Sequence, residues 1–262
     1  MEVEKIKKEI GICIAKSIPF SEKEICAKLL GFIDLTTLEG SDTKKRVVDL
    51  CTKAKLYKTA AVCVYPYYAH EVSSQLQGTG IKTACVAGGF PASQIPLSVK
   101  LIEVEETLKN GADEIDMVLS QGAFLEGDFK RAGEEIRAIK EVCGKKHLKV
   151  ILETGALQTP ENIYKASVLA IESGADFIKT STGKIAISAT LEAFYIMLKV
   201  IEEYREKGKI IGIKPAGGIS TVESVIPYFQ LVYHILGKDW LNKDLFRIGA
   251  SRLADALAKK AE

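Results

Sequence analysis

Eight short β-rich runs, at residues 32–36, 59–64, 82–87, 114–119, 148–153, 176–180, 210–215 and 245–249, alternate with amphipathic stretches, and this alternation constrains the fold most. Successive runs begin 23 to 35 residues apart, which leaves room for a helix between strands that return parallel to one another. Apolar residues recur on one helical face in the intervening segments, as at Ile136 and Ile139 after Asp128, or Leu191, Phe194, Tyr195, Leu198 and Ile201 after Thr190. Ser188 or Thr190 suits the cap of that second helix and Gly208 its end. Gly111-Ala-Asp113 and Gly174-Ala-Asp176 each stand just before a strand, where glycine closes a helix at positive φ. The expected fold is α/β: a single eight-stranded parallel β/α barrel over residues 1–262, with an extra N-terminal helical segment. An open doubly wound sheet would use the same elements, but no G-x-G-x-x-G follows the first run.

Composition removes other classes. With 47% hydrophobic and 27% charged residues the chain has the proportions of a soluble globular enzyme. A net charge of +2, with Lys and Glu interspersed, gives nucleic-acid binding no electrostatic support. The longest apolar stretches fall far short of the roughly 20 residues of a membrane span. Mixed charges at Glu2, Glu4, Lys5, Lys7, Lys8 and Glu9 do not read as an export signal, so a cytoplasmic protein is expected. Six scattered cysteines, with no C-x-x-C, read as small core hydrophobes in a reducing compartment. His70, His147 and His234 form no metal-binding motif; neither a metal nor another cofactor is expected.

Side chains alternate along a strand, so each run has one set facing the barrel interior and one facing the helices. Leu148, Val150 and Leu152 form an apolar set, which turns Lys149, Ile151 and Glu153 inward. Ile115, Met117 and Leu119 do the same for Glu114, Asp116 and Val118. The same parity groups Lys179 with Phe177, Lys214 with Gly212, and Asp34 with Phe32 and Thr36. Charges on five strands are therefore expected to converge where a barrel is ordinarily apolar. Each would cost several kcal/mol if buried without partners, so the arrangement reads as functional.

A lysine held beside other cations loses stability as an ammonium, and its free amine becomes a nucleophile able to form an imine with a carbonyl substrate. A protonated imine is an electron sink, so C–C bonds next to it form and break without a metal. Asp116, next to Lys149, suits general acid/base work. These residues do not rank Lys149, Lys179 and Lys214 as nucleophiles. At the last loops, Lys214-Pro-Ala-Gly-Gly-Ile-Ser and Gly249-Ala-Ser-Arg252 each open a helix, and Gly183-Lys184 follows the sixth run. Glycine backbone and helix N-termini there suit a phosphate, although such glycines also serve as plain tight turns. Cys51 and Tyr65 read as packing residues near the site.

The segments Ile33-Asp-Leu-Thr-Thr-Leu, Gly111-Ala-Asp-Glu-Ile-Asp-Met-Val, Leu148-Lys-Val-Ile-Leu-Glu-Thr-Gly, Ala175-Asp-Phe-Ile-Lys-Thr-Ser-Thr-Gly-Lys and Gly212-Ile-Lys-Pro-Ala-Gly-Gly-Ile resemble the deoxyribose-phosphate aldolase family. That class I family interconverts 2-deoxy-D-ribose 5-phosphate with acetaldehyde and glyceraldehyde 3-phosphate. The resemblance implies that Lys179 forms the Schiff base, Lys214 depresses its pKa, and Asp116 with Lys149 relays protons. It implies that Asp34 and Thr36 help position substrate, and that the phosphate rests on Gly183, Lys184, Gly217, Gly218, Gly249 and Ser251. The expected partners are small phosphosugars and aldehydes; the sequence does not fix the oligomeric state, the homodimer being the commonest assembly among soluble oligomers. Two departures stand out. Arg252 replaces a second serine of some members, and the chain ends at Glu262 without the terminal tyrosine that some members use in proton transfer. A Schiff-base aldolase for another phosphorylated sugar and a non-catalytic phosphosugar-binding protein are the competing readings.

Overall fold

The computed structural model describes residues 2–261; Glu262, at which the absence of a terminal tyrosine is read from the sequence, lies outside the described residues. Eight parallel strands form the barrel: β1 Ile33–Thr36, β2 Ala61–Val64, β3 Lys82–Val86, β4 Glu114–Val118, β5 His147–Ile151, β6 Phe177–Lys179, β7 Gly212–Lys214 and β8 Ile248–Ala250. Neighbours in sequence are neighbours in the sheet, and β8 pairs with β1. Closure between β7 and β8 is by single bridges, Ile213 with Phe246 and Ala216 with Gly249. This accounts for the main boundary difference: residues 245–247, expected within the last strand, bond to Ile213 of β7 just before β8 begins, with Arg247 N–H donating to Ile213 O at 3.0 Å.

Two helices, Val3–Ala15 and Glu22–Leu30, precede the barrel, the second held by a capping box in which Ser21 and Glu24 satisfy each other's backbone donors. Thr190, rather than Ser188, caps Leu191–Glu206 by accepting Ala193 N–H at 3.1 Å. Outward strand residues such as Leu35, Val62, Cys85, Met117, Val150, Ile178 and Ile213 pack into the main core against the helices. The interior is divided. Ala61, Cys63, Ala84 and Val86 give β2 and β3 an apolar inner wall with Leu38, while β1, β4, β5, β6 and β7 carry charge and Arg247 adds another just before β8.

Strand β5 ends at Ile151, two residues short of the expected run, and Glu153 adopts a left-handed conformation (φ 58°, ψ 60°), buried against Thr182.

Candidate active site

Strand parity brings seven ionisable groups together inside the barrel: Asp34, Glu114, Asp116, Lys149, Lys179, Lys214 and Arg247, all buried. Lys149 Nζ lies 2.6 Å from Glu114 Oε2 and 2.9 Å from Asp116 Oδ1. Lys214 Nζ lies 2.5 Å from Asp34 Oδ2 and 2.7 Å from Asp116 Oδ2. Lys179 Nζ lies 2.9 Å from that same Asp116 oxygen. Below them Arg247 spans two carboxylates, with Nη1 2.6 Å from Asp34 Oδ1 and Nη2 2.8 Å from Glu114 Oε1.

The charge count separates the lysines that the sequence leaves unranked. Three carboxylates face four cations, so the cluster balances when one cation gives up its proton. Arg247 retains its charge at all ordinary pH. Lys149 and Lys214 each hydrogen-bond two carboxylates, and although burial opposes it, Asp116 and its neighbours raise both pKa values. Lys179 contacts one carboxylate oxygen and shares it. Burial first, and Lys214 second, hold its amine below the ordinary lysine range against the pull of Asp116. Burial works against the charged form of the carboxylates too, yet Lys149, Lys179 and Lys214 hold Asp116 well below its usual range, and Lys149 and Arg247 do so for Glu114.

Lys179 is also the cluster lysine that reaches a cavity of about 480 Å³ at the C-terminal mouth of the barrel. Thr36, Gly183, Lys184, Gly217, Gly218, Gly249, Ser251 and Arg252 line it as well. Asp34 does not: it lies beneath, with both oxygens engaged by Lys214 and Arg247, and so belongs to the charge cluster rather than to the cavity wall. Gly217 holds φ +81°, and a Cβ there would come within 2.6 Å of Ser188, so only glycine fits the turn. Helices Val222–Leu236 and Leu253–Ala261 begin beside the cavity loops. Lys184 is 3.3 Å from Glu39, and Arg46 is 3.2 Å from Asp42, placing further cations at the rim.

Sequence reasoning missed two cations. Arg247 shares strand parity with Gly249 and sits between apolar Phe246 and Ile248, a signal the other five strands had already displayed. Arg46 gave no such signal, because it reaches the cavity from helix Lys44–Tyr57. Cys51 packs in the outer core, and Tyr65 lies edge-on to Phe90 beside the apolar inner wall. Among the described residues no group of His, Cys, Asp and Glu has the placement of a metal site, and no helix is long and apolar enough to cross a membrane.

An eight-stranded β/α barrel with lysines buried beneath a glycine-rich mouth defines the class, a barrel enzyme of the aldolase type. The chain belongs to the DeoC/LacD aldolase family, whose model matches residues 28–226. A relative from Caenorhabditis elegans is 45% identical over 247 residues, covering 90% of this chain and 82% of its own. The deoxyribose-phosphate aldolase of Homo sapiens is 42% identical over 252 residues, covering 89% of this chain and 79% of its own. A crystal structure from Coccidioides immitis superposes with a TM-score of 0.80 at 28% identity, covering 100% of this chain and 99% of its own.

Proposed function

We propose that this protein is a class I aldolase that reversibly cleaves 2-deoxy-D-ribose 5-phosphate to D-glyceraldehyde 3-phosphate and acetaldehyde, with Lys179 as the Schiff-base residue. The observation that carries the reading is the position of Lys179: it is the one lysine of the cluster that both reaches the cavity and has its ammonium form disfavoured.

In the cleavage direction the neutral Lys179 amine adds to the aldehyde carbon of the open-chain sugar, and loss of water leaves a protonated imine. The 3-hydroxyl proton departs, the C2–C3 bond breaks, and its electron pair passes into the imine to give an enamine. Glyceraldehyde 3-phosphate leaves. The enamine is protonated at C2, and water hydrolyses the resulting imine to acetaldehyde and free Lys179. Asp116, ionised and 2.9 Å from the Lys179 nitrogen, stabilises the positive imine as charge develops. Lys214 and Lys149 keep Asp116 ionised and form the proton relay with it. The phosphate rests at the turns of Gly183–Lys184, Gly217–Gly218 and Gly249–Ser251, with Arg252 and Arg46 adding positive potential at the rim.

The reading includes one barrel domain, a homodimeric assembly and a reducing cytosolic setting, in which the unpaired cysteines remain thiols. Sedimentation equilibrium tests the dimer. The chemistry is tested by borohydride reduction in the presence of 2-deoxyribose 5-phosphate, followed by intact-mass measurement and peptide mapping. A reduced adduct on Lys179, and its disappearance in folded Lys179→Ala, is the expected result. An adduct on Lys149 or Lys214 overturns the assignment of the nucleophile. No adduct at all would favour a phosphosugar-binding protein.

A further inference from the structure

One buried carboxylate at the barrel mouth belongs to neither the charge cluster nor the cavity wall. Glu153 is 1% exposed and follows β5 in a left-handed backbone conformation that is unfavourable for a residue with a Cβ. Among the described residues no Lys or Arg forms an ion pair with it; burial raises its carboxyl above the usual range, and Thr182 and, more weakly, the nearby Lys179 ammonium offset only part of that. Its carboxylate instead accepts from Thr182, whose backbone N–H lies 3.3 and 3.4 Å from the two oxygens and whose hydroxyl donates to Oε2. A hydroxyl has one proton to give. Once that proton is committed to Glu153, the Thr182 oxygen is left as an acceptor, and it accepts Lys184 N–H at 3.0 Å. A directional chain thus runs from Glu153 through Thr182 to the backbone of Lys184, around Gly183, which holds φ +76°.

The loops on either side reinforce this path. Thr154 N–H donates to Thr180 O at 2.9 Å, and Ala216 N–H donates to the Thr180 hydroxyl at 3.0 Å, so the exits of β5, β6 and β7 are bonded in series. Thr182, Gly183 and Lys184 line the cavity, while Glu153 does not. Burying a carboxylate without a direct ion pair is costly, and here it orders one short turn at the place where a substrate anion would sit.

We propose that Glu153 is a positioning residue for phosphate recognition: through Thr182 it fixes the Gly183–Lys184 turn in the shape that receives the phosphate of the substrate. The proposal rests on the Lys179 aldolase reading. It holds that Glu153 acts on discrimination between phosphorylated and unphosphorylated sugars and not on imine formation. In Glu153→Gln one acceptor oxygen becomes an amide donor, which opposes the two Thr182 donors and loosens the turn. In Thr182→Val the hydroxyl link is removed from the other side, and Thr182→Ser restores it.

The experiment compares kcat and KM for 2-deoxyribose 5-phosphate and for 2-deoxyribose in wild type, the three single variants and Glu153→Gln/Thr182→Val, with the rate of borohydride trapping at Lys179 measured alongside. The preference for the phosphorylated sugar is expected to fall roughly ten-fold or more in Glu153→Gln and in Thr182→Val, chiefly through KM, as for a lost charge-assisted hydrogen bond. The double variant should fall no further than the worse single one, and Thr182→Ser should keep the wild-type preference. If Glu153→Gln does not fold, Thr182→Val alone decides, and an unchanged preference there overturns the proposal. An equal loss on both sugars, or a shifted trapping rate with preference retained, also overturns it, since Glu153 would then act through general stability or through the charge of Lys179. Failure of wild type to trap either sugar is a separate outcome that overturns the aldolase reading itself.

Discussion

Lys179 and Lys214 present their ammonium nitrogens to a single oxygen, Asp116 Oδ2, at 2.9 and 2.7 Å. Two cations competing for one acceptor cannot both be fully stabilised, and Lys214 holds the additional contact to Asp34. Lys179 is therefore the lysine whose ammonium form is held less firmly.

This competition is testable in Lys214→Met, which keeps an unbranched side chain and removes the charge. Lys179 then has Asp116 Oδ2 to itself, and its pKa rises. Borohydride trapping at Lys179 should move to higher pH, and its rate near neutrality should fall about ten-fold for each unit of displacement. A trapping profile that stays in place or moves to lower pH would show that Lys214 does not tune the amine.

Arg247 ties Asp34 to Glu114 at the base of the cluster, and Arg247→Met leaves both carboxylates short of a partner. Breaking one side of such a buried network costs about 3–5 kcal/mol, which urea denaturation at neutral pH would measure. The pH dependence has a definite sign. Asp34, Glu114 and Asp116 are all held below the usual carboxylate range. Their contribution to stability is thus fully present above the unfolded carboxylate pKa of about 4 and is lost as pH falls through their lower folded values. With Arg247 gone, Asp34 and Glu114 titrate nearer to normal, so acid unfolding should begin at a higher pH than in wild type. An unchanged acid transition would mean that Arg247 contributes little to holding those carboxylates ionised.

Gly217→Ala tests the anion site. A methyl at φ +81° is strained and would meet Ser188 at 2.6 Å, so the turn has to shift away from its present line. The expected outcome is a raised KM for 2-deoxyribose 5-phosphate and weaker competitive inhibition by inorganic phosphate, with borohydride trapping of acetaldehyde at Lys179 much less affected. Equal losses for acetaldehyde and the phosphosugar would place the effect at the amine instead.

Much of this site was legible because strand parity is a strict code: once Leu148, Val150 and Leu152 are assigned outward, Lys149 has nowhere to go but in. The same code held at Asp116, Lys179, Lys214 and Asp34, and it was available at Arg247. Past the strand end the code says less: Glu153 takes a left-handed conformation, and nothing local in Leu-Glu-Thr-Gly announces one. The ranking of the lysines was hidden for another reason. It depends on how many carboxylate oxygens each nitrogen reaches across the barrel, a relation between residues 33 to 180 positions apart along the chain. Arg46 was hidden by the helix that carries it, since its exposure and spacing are those of any solvent-facing arginine.

Phe177 and Gly212 show the parity code acting through size. They are register partners on β6 and β7, and the Phe177 ring occupies the space where a Gly212 Cβ would stand, with three ring atoms 2.3 to 2.4 Å from that position. The ring also lies under the cluster, 6.0 Å from Lys149 Nζ and 5.9 Å from the Arg247 guanidinium. Gly212→Ala should therefore destabilise the fold by about 1–3 kcal/mol through overpacking, and Phe177→Leu should destabilise it by lost packing. The two changes relieve each other in space, so the double variant should be less destabilised than the sum of the singles, which chemical denaturation of all three would show. Strict additivity would mean that the ring moves aside freely and that the floor of the charge cluster is less rigid than its close packing implies.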